Sequence, residues 1–177
     1  IYTDVDGVYT TDPNVYGKAK KIDKLTFEEM LELSSLGAKV LQIRSVEFAS
    51  KYNMPIRVKS SFTNDEGTLI NGEENMEDAL ISGVTHTSDD AKLTIRKVPD
   101  SPGIAAKILD PISSKGIEVD IIIQNVSEDK TTDFTFTVKR EKSQETKNIL
   151  SKLSKEFGGG EIELNEDISK VSLVGVG

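Results

Sequence analysis

Two stretches, Val119-Asp120-Ile121-Ile122-Ile123-Gln124-Asn125-Val126 and Thr132-Asp133-Phe134-Thr135-Phe136-Thr137-Val138, decide the fold. The first is a β-branched run. The second sets Phe134, Phe136 and Val138 against Thr135 and Thr137, the period of a strand with one buried face. Upstream, Ala91 to Val98 reads as another strand, and Asp100-Ser101-Pro102-Gly103 reads as a turn into a helix with Pro102 in its first turn. Ile104, Ile108, Leu109 and Ile112 give that helix an apolar stripe. Downstream, a second helix carries Ile149, Leu150, Leu153 and Phe157, Gly158-Gly159-Gly160 stops it, and Glu161-Ile162-Glu163-Leu164 closes the series as a strand. The order is β-α-β-β-α-β, the split-βαβ or ferredoxin-like plan, which predicts a four-stranded antiparallel sheet with both helices on one face.

Residues 1–71 follow a different rhythm, alternating helix and strand in the α/β manner. Thr26-Phe27-Glu28-Glu29 is a capping box, opening a helix whose stripe is Phe27, Met30, Leu31 and Ser34 and whose stop is Gly37. A second helix is expected from about Lys39 to Tyr52, with Val40, Ile43, Val46 and Ala49 near helical spacing, and Asn53-Met54-Pro55 breaks it. Ile56 to Ser60 is a short strand. Asn71-Gly72-Glu73-Glu74-Asn75 marks a linker. These signals divide the chain into 1–71, a linker over 72–87, the β-α-β-β-α-β unit over 88–166, and 167–177 as the first strand of something further.

Composition narrows the function. The 177 residues hold 22 Lys plus Arg against 30 Asp plus Glu, a formal charge of −8, which disfavours nucleic acid and anionic lipid as partners. There is no cysteine and one histidine, so thiolate sites and His-cluster metal sites within one chain are excluded. No apolar run approaches the roughly 20 residues that span a bilayer. The chain opens at Ile1 without a signal-type stretch and closes on an apolar strand-like run, which reads as a piece of a longer protein.

Two places carry candidate chemistry. Thr3-Asp4-Val5-Asp6-Gly7-Val8-Tyr9-Thr10-Thr11-Asp12-Pro13 interleaves carboxylates with glycine, yet Val8 and Val15 fall where a Ca²⁺ loop needs oxygen ligands. No Gly-Lys-Ser/Thr supplies a phosphate loop either, and an acidic turn between strands fits the spacing alone. At Asp100-Ser101-Pro102-Gly103-Ile104-Ala105 a helix start offers amides and a positive dipole end to a carboxylate, while a simply capped helix fits equally. Asp120 interrupts an apolar strand, facing either a ligand or solvent. His86 sits among polar neighbours, as an exposed strand-edge residue would.

The strings Thr3 to Pro13, Ala19-Lys20-Lys21-Ile22, Phe27 to Leu33, Gly37-Ala38-Lys39-Val40-Leu41, Met54 to Val58 and Gly67-Thr68-Leu69-Ile70 together resemble the aspartate kinase family. The β-α-β-β-α-β unit with Asp-x-Pro-Gly at its first helix resembles an ACT domain, and Ser169 to Gly177 resembles the first strand of a second one. The resemblance implies the C-terminal part of an amino-acid-kinase domain followed by an ACT domain, from a cytoplasmic enzyme that uses ATP and Mg²⁺. Thr3, Asp4, Tyr9, Thr10, Thr11, Asp12, Pro13, Asn14, Lys39 and Val40 would line the nucleotide site, with Lys39 at a helix start facing the phosphates. Asn14 stands where the family often has arginine, and Leu41-Gln42-Ile43-Arg44 departs from its Leu-His-Pro-Arg. The family's Lys-Phe-Gly-Gly segment is absent, so no catalytic set is complete, no metal ligands are assigned, and this piece alone is expected to be inactive with no cofactor bound.

By the same resemblance, lysine or threonine would act as effector. Its carboxylate would meet the amides of Gly103, Ile104 and Ala105, and its ammonium would face Asp100 or Asp120 and the Gln124 carboxamide, with Ser101 and Pro102 in the same turn. A homodimer through ACT domains is expected. A stand-alone amino-acid-binding ACT module without kinase activity is the alternative, and Met76 is a candidate internal start for a separate regulatory subunit.

Overall fold

The computed structural model describes residues 1–72, 81–126, 131–156 and 160–175. The chain divides into two units, residues 1–87 together with 171–177, and residues 88–170 inserted between them in sequence.

The first unit runs through β1 (Tyr2–Thr3), β2 (Val8–Tyr9), β3 (Lys21–Ile22), β4 (Lys24–Thr26), α1 (Phe27–Ser35), α2 (Ile43–Lys51), β5 (Ile56–Ser60), β6 (Thr68–Asn71) and β7 (Gly83–Thr87). Its main sheet has the order β1-β5-β6-β4, with β1 parallel to β5, β5 antiparallel to β6 and β6 parallel to β4. β2 and β3 form a separate antiparallel pair. The capping box expected at α1 is present: Glu29 N donates to Thr26 Oγ1 at 3.1 Å and Thr26 N donates to Glu29 Oε2 at 2.8 Å. Phe27, Met30 and Leu33 then bury against Leu25, Val46, Val58 and Ile70. Leu33 takes the place in the stripe expected of Ser34, which stays half-buried.

α2 corrects the sequence reading, because it starts at Ile43 rather than Lys39. After α1 the Ala38 amide returns to Leu33 O at 2.9 Å, Gly37 adopts φ +117°, and the chain stays in a turn until the extended Gln42. Val40 packs on the core from that turn, so its apolar character imitated helical spacing. Within the stretch read as a linker, residues 83–87 form β7. Glu73, Glu74, Asn75 and Met76, like Phe157, Gly158 and Gly159, lie outside the described residues.

The second unit runs through β8 (Asp90–Pro99), α3 (Ile104–Ser113), β9 (Val119–Val126), β10 (Thr131–Lys139), a 3-10 turn at Arg140–Lys142, α4 (Ser143–Glu156) and β11 (Ile162–Asn165). After it β12 (Lys170–Val174) pairs with β7. The sheet order β11-β8-β10-β9, antiparallel throughout, is the arrangement the β-α-β-β-α-β order predicts. Leu93, Ile95, Phe134 and Phe136 form one face, and Ile104, Ile108 and Ile112 of α3 and Leu150 of α4 cover it. On the other face the Thr94 and Thr135 hydroxyls meet at 3.0 Å.

β8 does not alternate to its end. Lys97 adopts φ +54° at a bulge, and the Asp133 carboxylate accepts its amide at 2.9 Å. The extra residue lets both Ile95 and Val98 reach the core. Pro102 lies before α3 rather than in its first turn, and Gly103 is the N-cap.

Candidate functional site

The acidic turn of the first unit is tied down residue by residue. The Thr3 hydroxyl donates to Asp4 at 2.9 Å at the end of β1. Gly7 is buried so closely on Thr68 that a Cβ would stand 2.7 Å from its hydroxyl oxygen. That hydroxyl accepts from Val8 N at 2.8 Å and donates to Ile22 O at 2.6 Å. Tyr9 Oη donates to Asp6 at 2.9 Å, and this bond holds the phenol above its ordinary pKa, with burial acting the same way. Lys21 pairs with Asp65 and stands 4.0 Å from Asp6. The Asp65 bond raises the Lys21 ammonium and lowers the Asp65 carboxyl, which also accepts from Gly67 N.

Beyond Tyr9, Thr10 exchanges bonds with Lys20 through its amide at 2.8 Å and its hydroxyl at 3.1 Å. Asp12 closes a tight turn, accepting from Asn14 N on its carboxylate and from Val15 N and Tyr16 N on its carbonyl. The turn presents Asp12, Pro13 and Asn14 to solvent, with Thr11 half-buried. Lys39 precedes α2 by four residues instead of opening it, beside a half-buried Val40. It is exposed, and its ammonium forms no ion pair among the described residues. Lys21, by contrast, is committed to carboxylates. The supporting roles of Asp6, Lys21 and Asp65 escape sequence reading, since Lys21 and Asp65 are 44 positions apart.

In the second unit, Asp100, Ser101, Pro102 and Gly103 are all exposed at the mouth of α3. Gly103 has φ +84°, a conformation that favours glycine, and nothing lies within 4 Å of where its Cβ would be. No side chain caps the helix. One expected donor is already used, because Ile104 N donates to Ser101 O at 3.2 Å. The Ile104 side chain is buried and Ala105 half-buried.

Register decides which other residues approach. Thr131 faces Pro99 and Thr132 faces Val126, so Gln124, opposite Phe134, lies toward the end of the sheet from which the chain enters α3. Asp120 lies six residues back from Val126, about 20 Å along the strand, so one copy does not bring it to the Gly103 mouth. It pairs instead with Lys170, which also stands 3.9 Å from Asp90. Asp90, 2% exposed, accepts from Lys139 at 2.9 Å, and that bond raises the lysine's pKa. Asp120's place in an apolar strand is thus an ion pair with a residue 50 positions later. His86 is in β7, half-buried rather than exposed.

Among the described residues no three His, Cys, Asp or Glu side chains gather into a metal site, and no helix is long and apolar enough to cross a membrane.

The comparisons agree with this division. Residues 1–60 match the amino acid kinase family and residues 93–158 match the ACT domain. An aspartate kinase of Pseudomonas putida is 59% identical over 179 residues, spanning all of this chain and 44% of its own length. The chain thus spans less than half the length of the curated relatives it matches. Two solved structures of Escherichia coli aspartokinase III, one in complex with lysine and aspartate and one with aspartate and ADP, are each 29% identical. Each covers 99% of this chain with 39% of its own, at TM-scores of 0.74 and 0.76.

Proposed function

The chain belongs to the aspartate kinase family, and on that premise we propose a function for the longer protein. It transfers the γ-phosphoryl group of ATP to L-aspartate, giving 4-phospho-L-aspartate, under feedback from lysine or threonine at its ACT domain. The E. coli relative crystallised with ADP supports a nucleotide site, and the same relative with lysine supports an amino-acid effector.

On the nucleotide side, Thr3, Asp4 and residues 9–14 supply hydroxyls, amides and carboxylates for ribose and phosphates, and Lys39 supplies an uncommitted ammonium. Phosphoryl transfer depends mainly on positioning and charge neutralisation, which is what a held turn and a free lysine provide. Mg²⁺ takes several waters and phosphate oxygens with one or two carboxylates. Asp4 and Asp12, both exposed, would each offer such a carboxylate, and no dedicated protein cage would be required. Among the assigned nucleotide residues only Lys39 is cationic, too little to neutralise a triphosphate, so this segment alone is proposed to be inactive.

On the regulatory side, the observation that carries the reading is the bare start of α3: an N-cap glycine at φ +84° with open space over its α-carbon and no side-chain cap. The Gly103 and Ala105 amides would take the effector's carboxylate. β9 lies at the edge of its sheet and exposes Ile121, Ile122 and Ile123 at 40, 48 and 48%. An apolar edge of this kind gains by pairing with a second copy, which supports a homodimer. A site that used both Gly103 and Asp120 would take them from different copies.

Calorimetric titration of the full-length protein with lysine and threonine separately, alongside an assay of ATP-dependent aspartate phosphorylation, tests both halves. Binding of at least one amino acid and inhibition by it are expected. Turnover that ignores both amino acids would overturn the regulatory half, and ATP binding without aspartate-dependent turnover would overturn the catalytic half.

A further inference from the structure

We infer that β7 positions the Thr10–Asn14 turn, with Ser82 and Gly83 as its positioning residues, so the strand that leads into the ACT domain also sets the nucleotide turn. This rests on the nucleotide reading of that turn above.

Three contacts within the first unit carry the inference. Val84 N donates to Thr10 O at 2.6 Å. Thr10 is thereby held at its carbonyl by β7 as well as at its amide and hydroxyl by Lys20, and the exposed residues 11–14 hang from that fixed point. Gly83 is buried, and a Cβ there would stand 2.8 Å from Leu33 Cδ2 and 3.3 Å from Thr10 O. A side chain there would have to displace the Leu33 methyl and crowd the Thr10 carbonyl, so glycine lets the strand lie flush between α1 and the turn. Ser82 Oγ donates to Glu29 Oε1, while Glu29 Oε2 accepts from Thr26 N at 2.8 Å. A carboxylate only 8% exposed therefore locks the head of β7 to the capped start of α1.

β7 has a second neighbour as well. It pairs with β12, and Ser82 N donates to Val174 O at 2.8 Å. Beyond Thr87 the chain enters the inserted unit at Ser88, and it returns at Val171. Both covalent connections of that unit thus run through one hydrogen-bonded ribbon, and the ribbon's free amide holds Thr10. A shift of β7 along its axis would have to move the Thr10 carbonyl or break its bond.

The test uses the full-length protein with three variants. Val84→Pro removes the donor to Thr10, Ser82→Ala frees β7 from Glu29, and Ser82→Thr keeps a hydroxyl for Glu29. Hydrogen exchange across residues 8–16 is measured without ligand, together with kcat and the KM for ATP. Ser82→Ala is expected to speed that exchange and raise the ATP KM by about threefold or more, with kcat within about twofold. Ser82→Thr should restore both, and Val84→Pro, if folded, should exceed Ser82→Ala. Unchanged exchange across residues 8–16 in Ser82→Ala overturns the inference, as does a parallel fall in kcat and melting temperature that Ser82→Thr fails to rescue. If faster exchange appears while the wild-type protein shows no saturable use of ATP, the positioning stands and the nucleotide reading falls.

Discussion

The starts of α1 and α3 differ in what they do with their free amides. At α1, Thr26 and Glu29 exchange reciprocal hydrogen bonds and are both buried, and Glu29 also takes the hydroxyl of the half-buried Ser82. At α3, the cap is a glycine in a left-handed conformation with no side-chain bond, and its surroundings are exposed. A helix start closed by its own side chains serves the fold. One left bare costs some stability and remains open to an anion. The same local physics thus separates a structural end from a candidate binding end.

The largest expected effect breaks the closed start. Glu29→Ala takes the acceptor from the buried Thr26 amide and from the half-buried Ser82 hydroxyl, so it should cost about 2 kcal/mol, read as a lower denaturant midpoint for the first unit. Gly103→Asn sharpens the comparison from the open side. Asparagine tolerates the left-handed conformation and can cap the helix itself, so a stability gain of a few tenths of a kcal/mol is expected. Lysine or threonine binding, followed calorimetrically, should weaken by about tenfold, or about 1.4 kcal/mol. A variant that gains stability and binds unchanged would show that the bare start holds no effector.

The smallest effect concerns the strand that leads into α3. Arg96 donates to Glu163 at 2.6 and 3.0 Å and to Asp133 at 3.2 Å, beside the Lys97 bulge that Asp133 holds. The Arg96 bond lowers the Glu163 pKa in the folded protein. A lowered carboxyl adds stability above its ordinary range and loses it as pH falls through the folded value. Lower hydrogen-exchange protection at residues 96–103, taken relative to the intrinsic rate at each pH, is therefore expected on acidification, less so in Glu163→Gln. The pair is half exposed, so the change should be slight.

The second unit was legible from sequence because each element carries its own local signal. The Phe134-Thr135-Phe136-Thr137 alternation, the isoleucine stripe of α3 and the turn at Asp100 to Gly103 needed no distant partner to be read. Even its bulge left a trace, since Ile95 and Val98 are both apolar three positions apart, out of phase for a regular strand. The first unit yielded its capping box for the same reason. Its sheet stayed hidden, because β1 finds its partner across the chain, Tyr2 opposite Lys59, and two-residue strands have no period to detect.

Partners far apart in sequence explain what the residue readings missed as well. Asp120 reads as facing a ligand or solvent, and the Lys170 that pairs with it lies 50 positions later, while Lys39 looked helical because Val40 is apolar for a different reason. β7, five residues beginning with glycine inside an expected linker, gave no sign that both neighbours would claim it.

The hydroxyl oxygens of Ser88 and Ser169 lie 3.0 Å apart, although everything from β8 to β11 separates them in sequence. The inserted domain therefore enters and leaves through a single doorway. Such a doorway lets a lineage acquire, discard or exchange the domain by joining residue 87 to residue 171 through a short crossover, because the β7–β12 ribbon keeps its partners either way.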